Sequence, residues 1–416
     1  MLAAPLFRRV ITRGSLTVIS PDGSRMVFGD GSGNPGAATI RIHDTATERR
    51  LLLNPHMALG EAYMEGTLTC EDGTTLPGFL DLVGENIGRG YGHGLAFLLH
   101  QLRMLKRRIM QYNPAHRARR NVAHHYDLSG ALYDLFLDAD RQYSCAYYLA
   151  PDDTIEAAQH QKKDHIAAKL LLQPGQRVLD IGSGWGGLGL HVAGLEDVHV
   201  QGVTLSEEQH KLSNARAEAA GLASRVRFDL IDYRHLQGRF DRIVSVGMFE
   251  HVGVNHYREY FDRIAELLTD DGVALVHSIG RSDGPGVTNP WIAKYIFPGG
   301  YIPALSEVLP YIERSGLWVT DVEILRLHYA ETLKAWYDRF MARREEAARI
   351  YDERFCRMWE FYLAGSEMSF RHGGMMVFQV QLARRQDAVP LTRDYITDTE
   401  RAIGARTEPV KARTVA

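Results

Sequence analysis

The chain has few cysteines, no long apolar run and almost no net charge, and each absence narrows what it can do. Cys70, Cys145 and Cys356 are odd in number and widely spaced. A disulfide framework and a thiolate zinc site are therefore both disfavoured, no resident metal is expected, and a reducing cytoplasm fits. No stretch approaches the roughly 18 apolar residues needed to cross a bilayer. Residues 1–9 put a token apolar run ahead of their arginines, the wrong order for a secretory signal. A net charge of −3 over 416 residues predicts no nucleic-acid preference. With 45% hydrophobic and 24% charged residues, the composition is that of a globular protein with room for two or three domains.

What the chain does have is a concentration of glycine in one telling place. The apolar run ending Leu179-Asp180-Ile181 is followed by glycines at 182, 184, 186 and 187 and then by an apolar helix pattern. A buried strand turning sharply into a helix needs this spelling, because glycine adopts backbone angles closed to other residues and lets a ligand approach the main chain. Asp180 is foreign to a plain dinucleotide fingerprint and suits a cationic ligand. S-adenosylmethionine, with its sulfonium and ammonium, is the candidate; a glycine turn without a ligand is the alternative. The next strand candidate ends Thr204-Leu205-Ser206, without the ribose-holding acid of a nicotinamide site, and Ser206 with Gln209 reads as a helix-capping pair.

Residues 1–85 read as a small α+β unit in which Ser15–Ile19 and 38–42 alternate as strands. The glycine cluster at 29–36 lacks a phosphate loop's Gly-Lys-Ser/Thr and reads as a hairpin loop. Residues 86–120 form a glycine-rich joint at 88–94 and a basic helical linker that Pro114 ends. Residues 101–120 carry seven cations and no acid. That is either a solvated linker or a surface for an anionic membrane, where each basic residue contributes roughly 1 kcal/mol. Strand candidates at 177–181, 198–204, 226–231, 241–247 and 272–279 alternate with helix patterns and predict an α/β, doubly wound parallel sheet. The stretch 281–312, rich in Pro, Gly and aromatics, is expected to be a lid or substrate channel. Residues 391–416 read as a polar, frayed tail.

Seven separated blocks then resemble the cyclopropane-fatty-acyl-phospholipid synthases, S-adenosylmethionine-dependent methyltransferases that include the mycolic acid cyclopropane synthases. They are His-His-Tyr-Asp-Leu (124–128), Tyr-Ser-Cys-Ala-Tyr (143–147), Leu-Asp-Ile-Gly-Ser-Gly-Trp-Gly-Gly (179–187), Gly-Met-Phe-Glu-His-Val-Gly (247–253), His-Ser-Ile-Gly (277–280), Pro-Gly-Gly-Tyr-Ile-Pro (298–303) and His-Tyr-Ala-Glu-Thr-Leu (328–333). The first 85 residues resemble the small N-terminal domain of bacterial members only loosely.

The resemblance implies a Rossmann-like sheet of class I methyltransferase type over 121–390. It implies methylation of an isolated alkene in an unsaturated phospholipid, then ring closure of the carbocation as bound bicarbonate removes a proton from the new methyl. It assigns Cys145, Glu250, His277, Tyr329 and the Gly247 backbone to the bicarbonate. It assigns Tyr143, Ser144, Leu179, Asp180, Gly182, Gly184, Gly186, Gly187, Thr204, Leu205, Gln209, Asp232 and Tyr233 to adenosylmethionine. A carboxylate beside an anion needs a shared proton or a cationic partner, or repulsion empties the site. Taken singly, Cys145 suits a small buried hydrophobe and His277 a hydrogen-bonded core histidine. Trp291, Tyr295, Phe297, Tyr301 and Tyr311 are candidates to line an acyl channel and to stabilise a carbocation, with core packing as the alternative. Ser183 and Ser366 stand where relatives carry cysteine, and Ser366 argues against thiol catalysis there. The implied partner is an anionic membrane contacted peripherally from the cytoplasmic side, with a homodimer left open. Rival readings are a methyltransferase that leaves a methyl or methylene branch, a non-catalytic lipid-binding protein and a nicotinamide oxidoreductase.

Overall fold

A computed structural model describes residues 1–32, 36–87 and 130–407. The basic stretch, Pro114 and the block at 124–128 lie outside the described residues.

Near the N-terminus, β1 (Ser15–Ile19), β2 (Arg25–Phe28), β3 (Ala37–Ile42) and β4 (Leu68–Glu71) form a sheet of order β2-β1-β3-β4. Ala38, Ile40 and Ile42 are buried while Thr39 and Arg41 are not, the period-2 burial of a one-sided sheet. The hairpin expected at 29–36 is not what the strands on either side of it form: β2 and β3 do not pair with each other but lie on opposite sides of β1, antiparallel and parallel to it. Residues 33–35 lie outside the described residues. The hairpin joins β1 to β2, where Gly23 takes φ 81° and Asp22 Oδ1 accepts from the Ser24 N–H at 2.9 Å. Turn composition marks a turn but does not name the strands it joins.

The larger sheet contains β5 (Arg177–Ile181), β6 (His199–Thr204), β7 (Val226–Leu230), β8 (Phe240–Val246), β9 (Leu268–Arg281), β10 (Trp318–Leu325) and β11 (Met375–Ala383). Its order is β10-β11-β9-β8-β5-β6-β7, and only β11 runs against the rest. Alternation along β5 separates two cores. Val178 joins Val200, Val244 and Leu275 beneath the helices Ile155–Leu170 and Gly187–Leu195. Leu179 and Ile181 join Ile243 and Val276 on the other face, beneath Tyr257–Leu267. Asp180 therefore shares the Val178 face, toward the helix Ile155–Leu170.

Two boundaries differ from the sequence expectation. The helix Leu305–Arg314 buries Val308 and Ile312 in the same core as Phe261 and Ile264, so it belongs to the sandwich and the excursion shrinks to 282–304. Nor are residues after 390 simply a frayed tail. The helix Asp394–Thr407 buries Ile396 and Ile403, and Glu400 bonds His165 of the helix Ile155–Leu170. A third core, around Trp336 and Trp359, lies between the helices Gly130–Phe136, His328–Ala342 and Glu353–Arg371. Ala364 and Met368 of the last helix also pack into the N-terminal core, joining the two sheets' territories.

Candidate active site

The parallel strands end on one rim, where an open α/β sheet places its ligand crevice. A cavity of about 160 Å³ lies there. Gly182 and Gly184 line it from the turn after β5, Thr204 and Leu205 from the end of β6, Asp232 and Tyr233 from beyond β7, and Gly247 from beyond β8, with Tyr143, Ser144, Asp180 and Gln209 completing it. Gly182, Gly184 and Gly186 take φ of 82°, 53° and 83°. A Cβ built on Gly184 meets nothing within 4 Å, so that face is open to an occupant.

Leu179, Gly186 and Gly187, also assigned to the cofactor, are not on this wall. Leu179 is sealed in the opposite core. A Cβ on Gly186 would lie 2.8 Å from Phe228 and Ser213, and one on Gly187 2.4 Å from the Asp140 and Gln142 side chains. These glycines serve close packing. The capping pair is half as expected: Ser206 Oγ accepts from the Gln209 N–H at 3.3 Å, but the Gln209 side chain bonds Thr204 Oγ1 at 2.8 Å. The Asp232 carboxylate is clamped by Arg234, which overcomes burial and holds it below its ordinary range.

Sequence reasoning missed Lys162. Its neighbours Gln161 and Lys163 make it look like part of a solvated helix face, yet it is fully buried on the cavity wall. Its ammonium donates to Gln142 Oε1 at 2.7 Å and Ser144 Oγ at 2.8 Å, and burial lowers its pKa to about 8. Burial, opposed by Lys162, raises Asp180 to about 7, and Asp180 Oδ2 has no hydrogen-bond partner. The cavity thus offers a buried cation and a buried acid, a setting for a ligand carrying both charges rather than for a cation alone.

A second cavity, about 390 Å³, holds all five residues assigned to the anion site: Cys145, Gly247, Glu250, His277 and Tyr329. It shares Tyr143, Ser144, Gly247 and His251 with the first, so the two meet there. Much of the remaining wall is apolar. Leu80, Val83 and Ile87 come from the N-terminal helix Leu76–Ile87, and Trp291, Phe297 and Tyr301 from the 282–304 excursion. Tyr295 and Tyr311 are not on it; the first bonds Glu61 and the second packs edge-on against Tyr257. Ser366 is on the wall.

Glu250 Oε1 accepts from the Ile279 N–H at 2.6 Å, Oε2 is buried without a partner, and burial raises the group to about 7. Burial, with Lys162 and Lys169 nearby, depresses His277 to about 3, so its ring is neutral. Burial pushes the Cys145 thiol far up, and its S–H donates to the Ala146 carbonyl at 3.3 Å; it is no nucleophile. The Gly247 N–H is committed to the His277 carbonyl at 3.0 Å, which leaves Gly247 only its own carbonyl to offer. These groups fit an anion in one respect above all: a protonated Glu250 donates from Oε2, the shared proton such a site requires. Among the described residues, one cluster with metal-ligand chemistry lies outside both cavities, with ring nitrogens of His160 and His191 3.0 and 2.7 Å from Asp164.

A family profile described as mycolic acid cyclopropane synthetase matches residues 114–380, and one described as a domain of unknown function matches 5–74. The chain is 37% identical over 401 residues to the tuberculostearic acid methyltransferase UfaA1 of Mycobacterium tuberculosis, covering 92% of this chain and 91% of that one. It is 39% identical over 349 residues to the cyclopropane-fatty-acyl-phospholipid synthase of Escherichia coli K12, covering 83% and 88%. The crystal structure of mycolic acid cyclopropane synthase CmaA1 with SAH and CTAB superposes with a TM-score of 0.61 at 33% identity, covering 65% of this chain and 99% of that one. The chain belongs to the mycolic acid cyclopropane synthetase family and is an S-adenosylmethionine-dependent methyltransferase.

Proposed function

We propose that the protein adds a methylene from S-adenosylmethionine across the cis double bond of an acyl chain in an unsaturated phospholipid, giving a cyclopropane ring. The observation that carries this reading is the junction of a charged cavity with a larger apolar one at Tyr143, Ser144, Gly247 and His251. Adenosylmethionine supplies the electrophilic methyl, and bicarbonate the proton acceptor for ring closure. The chain's own groups do the rest. Lys162 and Asp180 face the charged end of the donor, and the aromatic wall keeps water from a carbocation. Glu250, protonated on Oε2, and neutral His277 hold the anion beside the reacting carbon. One carbon–sulfur bond breaks, two carbon–carbon bonds form and one proton leaves, so no outside oxidant or reductant is required.

A second reading, transfer that ends in a methyl or methylene branch, is favoured by one observation: a relative matching nearly the whole chain is named a tuberculostearic acid methyltransferase.

The lipid reading brings a membrane with it, because an acyl chain must leave a bilayer to reach the apolar cavity. No described helix is long and apolar enough to cross a membrane. The cavity-lining helix Leu76–Ile87 leads in sequence to the joint and the basic stretch 101–120, which supports docking on anionic lipid from the cytoplasmic side. The test is turnover on phospholipid vesicles. Rigorous removal of bicarbonate from the wild type should lower it by about 10²–10⁴-fold, the scale of general-base catalysis. Glu250→Ala, which deletes the donor that a glutamine would keep, should also lower it sharply, both with adenosylmethionine affinity intact. Full turnover under both conditions would refute the anion site.

A further inference from the structure

A buried polar chain runs from Lys169 through Gln379 to His277, on the wall of the second cavity. Lys169, on the helix Ile155–Leu170, is wholly buried. Its ammonium pairs with Glu323 of β10, has the Asp321 carboxylate at 3.5 Å, and reaches Gln379 Oε1 of β11 at 2.9 Å. The Glu323 carboxylate is also 2.7 Å from His165, which Glu400 holds from the C-terminal helix. Gln379 stands directly opposite His277 in the β11–β9 pairing, with its amide nitrogen 3.2 Å from His277 Nδ1.

The chemistry of these groups allows one arrangement. An ammonium has only protons to offer, so the amide atom facing Lys169 must be the oxygen. The other amide atom is then the NH₂, which donates, and Nδ1 opposite it must accept. A neutral imidazole that accepts at Nδ1 bears its hydrogen on Nε2. The amide cannot be reversed, because its NH₂ would then meet the Lys169 ammonium, donor against donor; the lysine end alone fixes the orientation.

We propose that Lys169 and Gln379 are positioning residues that lock His277 in the Nε2–H tautomer, making it a hydrogen-bond donor to an anion in the second cavity and denying it the role of proton acceptor. This rests on the anion-site reading above and deepens it. With no lone pair on Nε2 and Nδ1 already engaged, His277 cannot take the proton released at ring closure, so that task falls to the anion it holds. The low basicity of His277 agrees, because a second proton on Nδ1 would meet the Gln379 NH₂. Two glutamines inside a buried strand are thereby explained: Gln379 sets the tautomer, and Gln381 caps the Lys169 carbonyl at 2.6 Å.

The test uses the full-length protein with ¹⁵N-labelled histidine. Long-range proton–nitrogen correlation separates protonated from unprotonated ring nitrogens, and His277→Asn identifies the His277 signals. The expected result is a proton on Nε2 and a bare Nδ1; a proton on Nδ1, or a mixture of the two forms, overturns the lock. Gln379→Glu then supplies a nearly isosteric group that accepts from both Lys169 and His277. It should move the proton to Nδ1 and lower kcat by about 10²–10³-fold, the cost of losing one donor to a developing or bound anion, with adenosylmethionine affinity unchanged. A reversed tautomer with unaltered kcat would leave the lock standing and remove the donor role, and with it the anion-site reading. If Gln379→Glu does not fold, the wild-type spectrum alone decides the tautomer.

Discussion

Asp180 and Lys162 occupy one wall with their protonation equilibria pushed in opposite directions by burial. Asp180, raised to about 7, carries a proton for much of its time near neutrality. A ligand bearing a sulfonium and an ammonium favours the ionised carboxylate. Adenosylmethionine binding should therefore release protons between about pH 5 and 7, read by calorimetry in buffers of different ionisation enthalpy, and Asp180→Asn should abolish the release. Equal release in both proteins would mean that Asp180 does not face the cation. Glu250 gives a stability signature. Its native pKa of about 7 lies above its ordinary 4.5, so the folded protein binds more protons in that interval. Stability falls as pH rises through the interval and stays lost above it. Glu250→Gln cannot ionise and should be more stable than wild type above pH 7, by up to roughly 3 kcal/mol, with the difference closing below about pH 5. Urea melts across pH measure this; a difference independent of pH contradicts the burial of that carboxyl. Asp180 and Glu250 were legible in the sequence because each stands at or just past a strand's carboxyl end. Lys162 was not, since burial of a lysine in a polar helix depends on what packs over it.

At the scale of elements, the glycine turn separates two effects. Gly184→Val should lose adenosylmethionine binding because its side chain projects into open cavity, with a stability cost that comes only from the backbone strain of φ 53° and not from overpacking. Gly186→Ala should instead destabilise the protein by about 1–3 kcal/mol, the usual range for overpacking, through contact with Phe228 and Ser213. Matching effects in both variants would show that the turn does not divide in this way. Five of the seven strands of the large sheet were legible from their apolar runs. β10 was not, because it is an edge strand with Trp318 half exposed and Asp321 and Glu323 turned to the Lys169 network. β11 was hidden by Gln379 and Gln381, whose polarity is buried but fully engaged. The helix Asp394–Thr407 was masked because two isoleucines seven residues apart carry its packing amid polar residues. Deleting 394–416 should lower the thermal midpoint by several degrees, since each fully buried isoleucine contributes about 1.5–3 kcal/mol. An unchanged midpoint would show that the helix does not dock.

At the scale of the whole molecule, residues far apart in sequence wall two cavities that meet. The N-terminal helix Leu76–Ile87, the excursion after β9 and the helix Glu353–Arg371 together wall the apolar cavity, and the glycine turn and Lys162 wall the charged one. Motif spacing revealed the glycine turn and the five residues assigned to the anion site; it did not reveal Lys162, nor that an N-terminal unit with only loose resemblance supplies part of the apolar wall. Charge reversal at Arg107, Arg108, Arg119 and Arg120 should weaken co-sedimentation with anionic vesicles, most at low salt, and leave adenosylmethionine affinity unchanged. Equal sedimentation at every salt concentration would move the docking surface elsewhere, the 282–304 excursion being next.

In the proposed function, a methyl is delivered to an alkene at the junction of the cavities and then loses one of its hydrogens. Mass spectrometry and proton NMR of lipid recovered after incubation with unsaturated phospholipid vesicles and adenosylmethionine deuterated in its methyl group test it most directly. The expected product has acyl chains heavier by one CD₂ unit, with cyclopropane ring resonances and no remaining alkene at the modified position. Unmodified lipid, or chains that keep the entire CD₃ group as a branch, would contradict it.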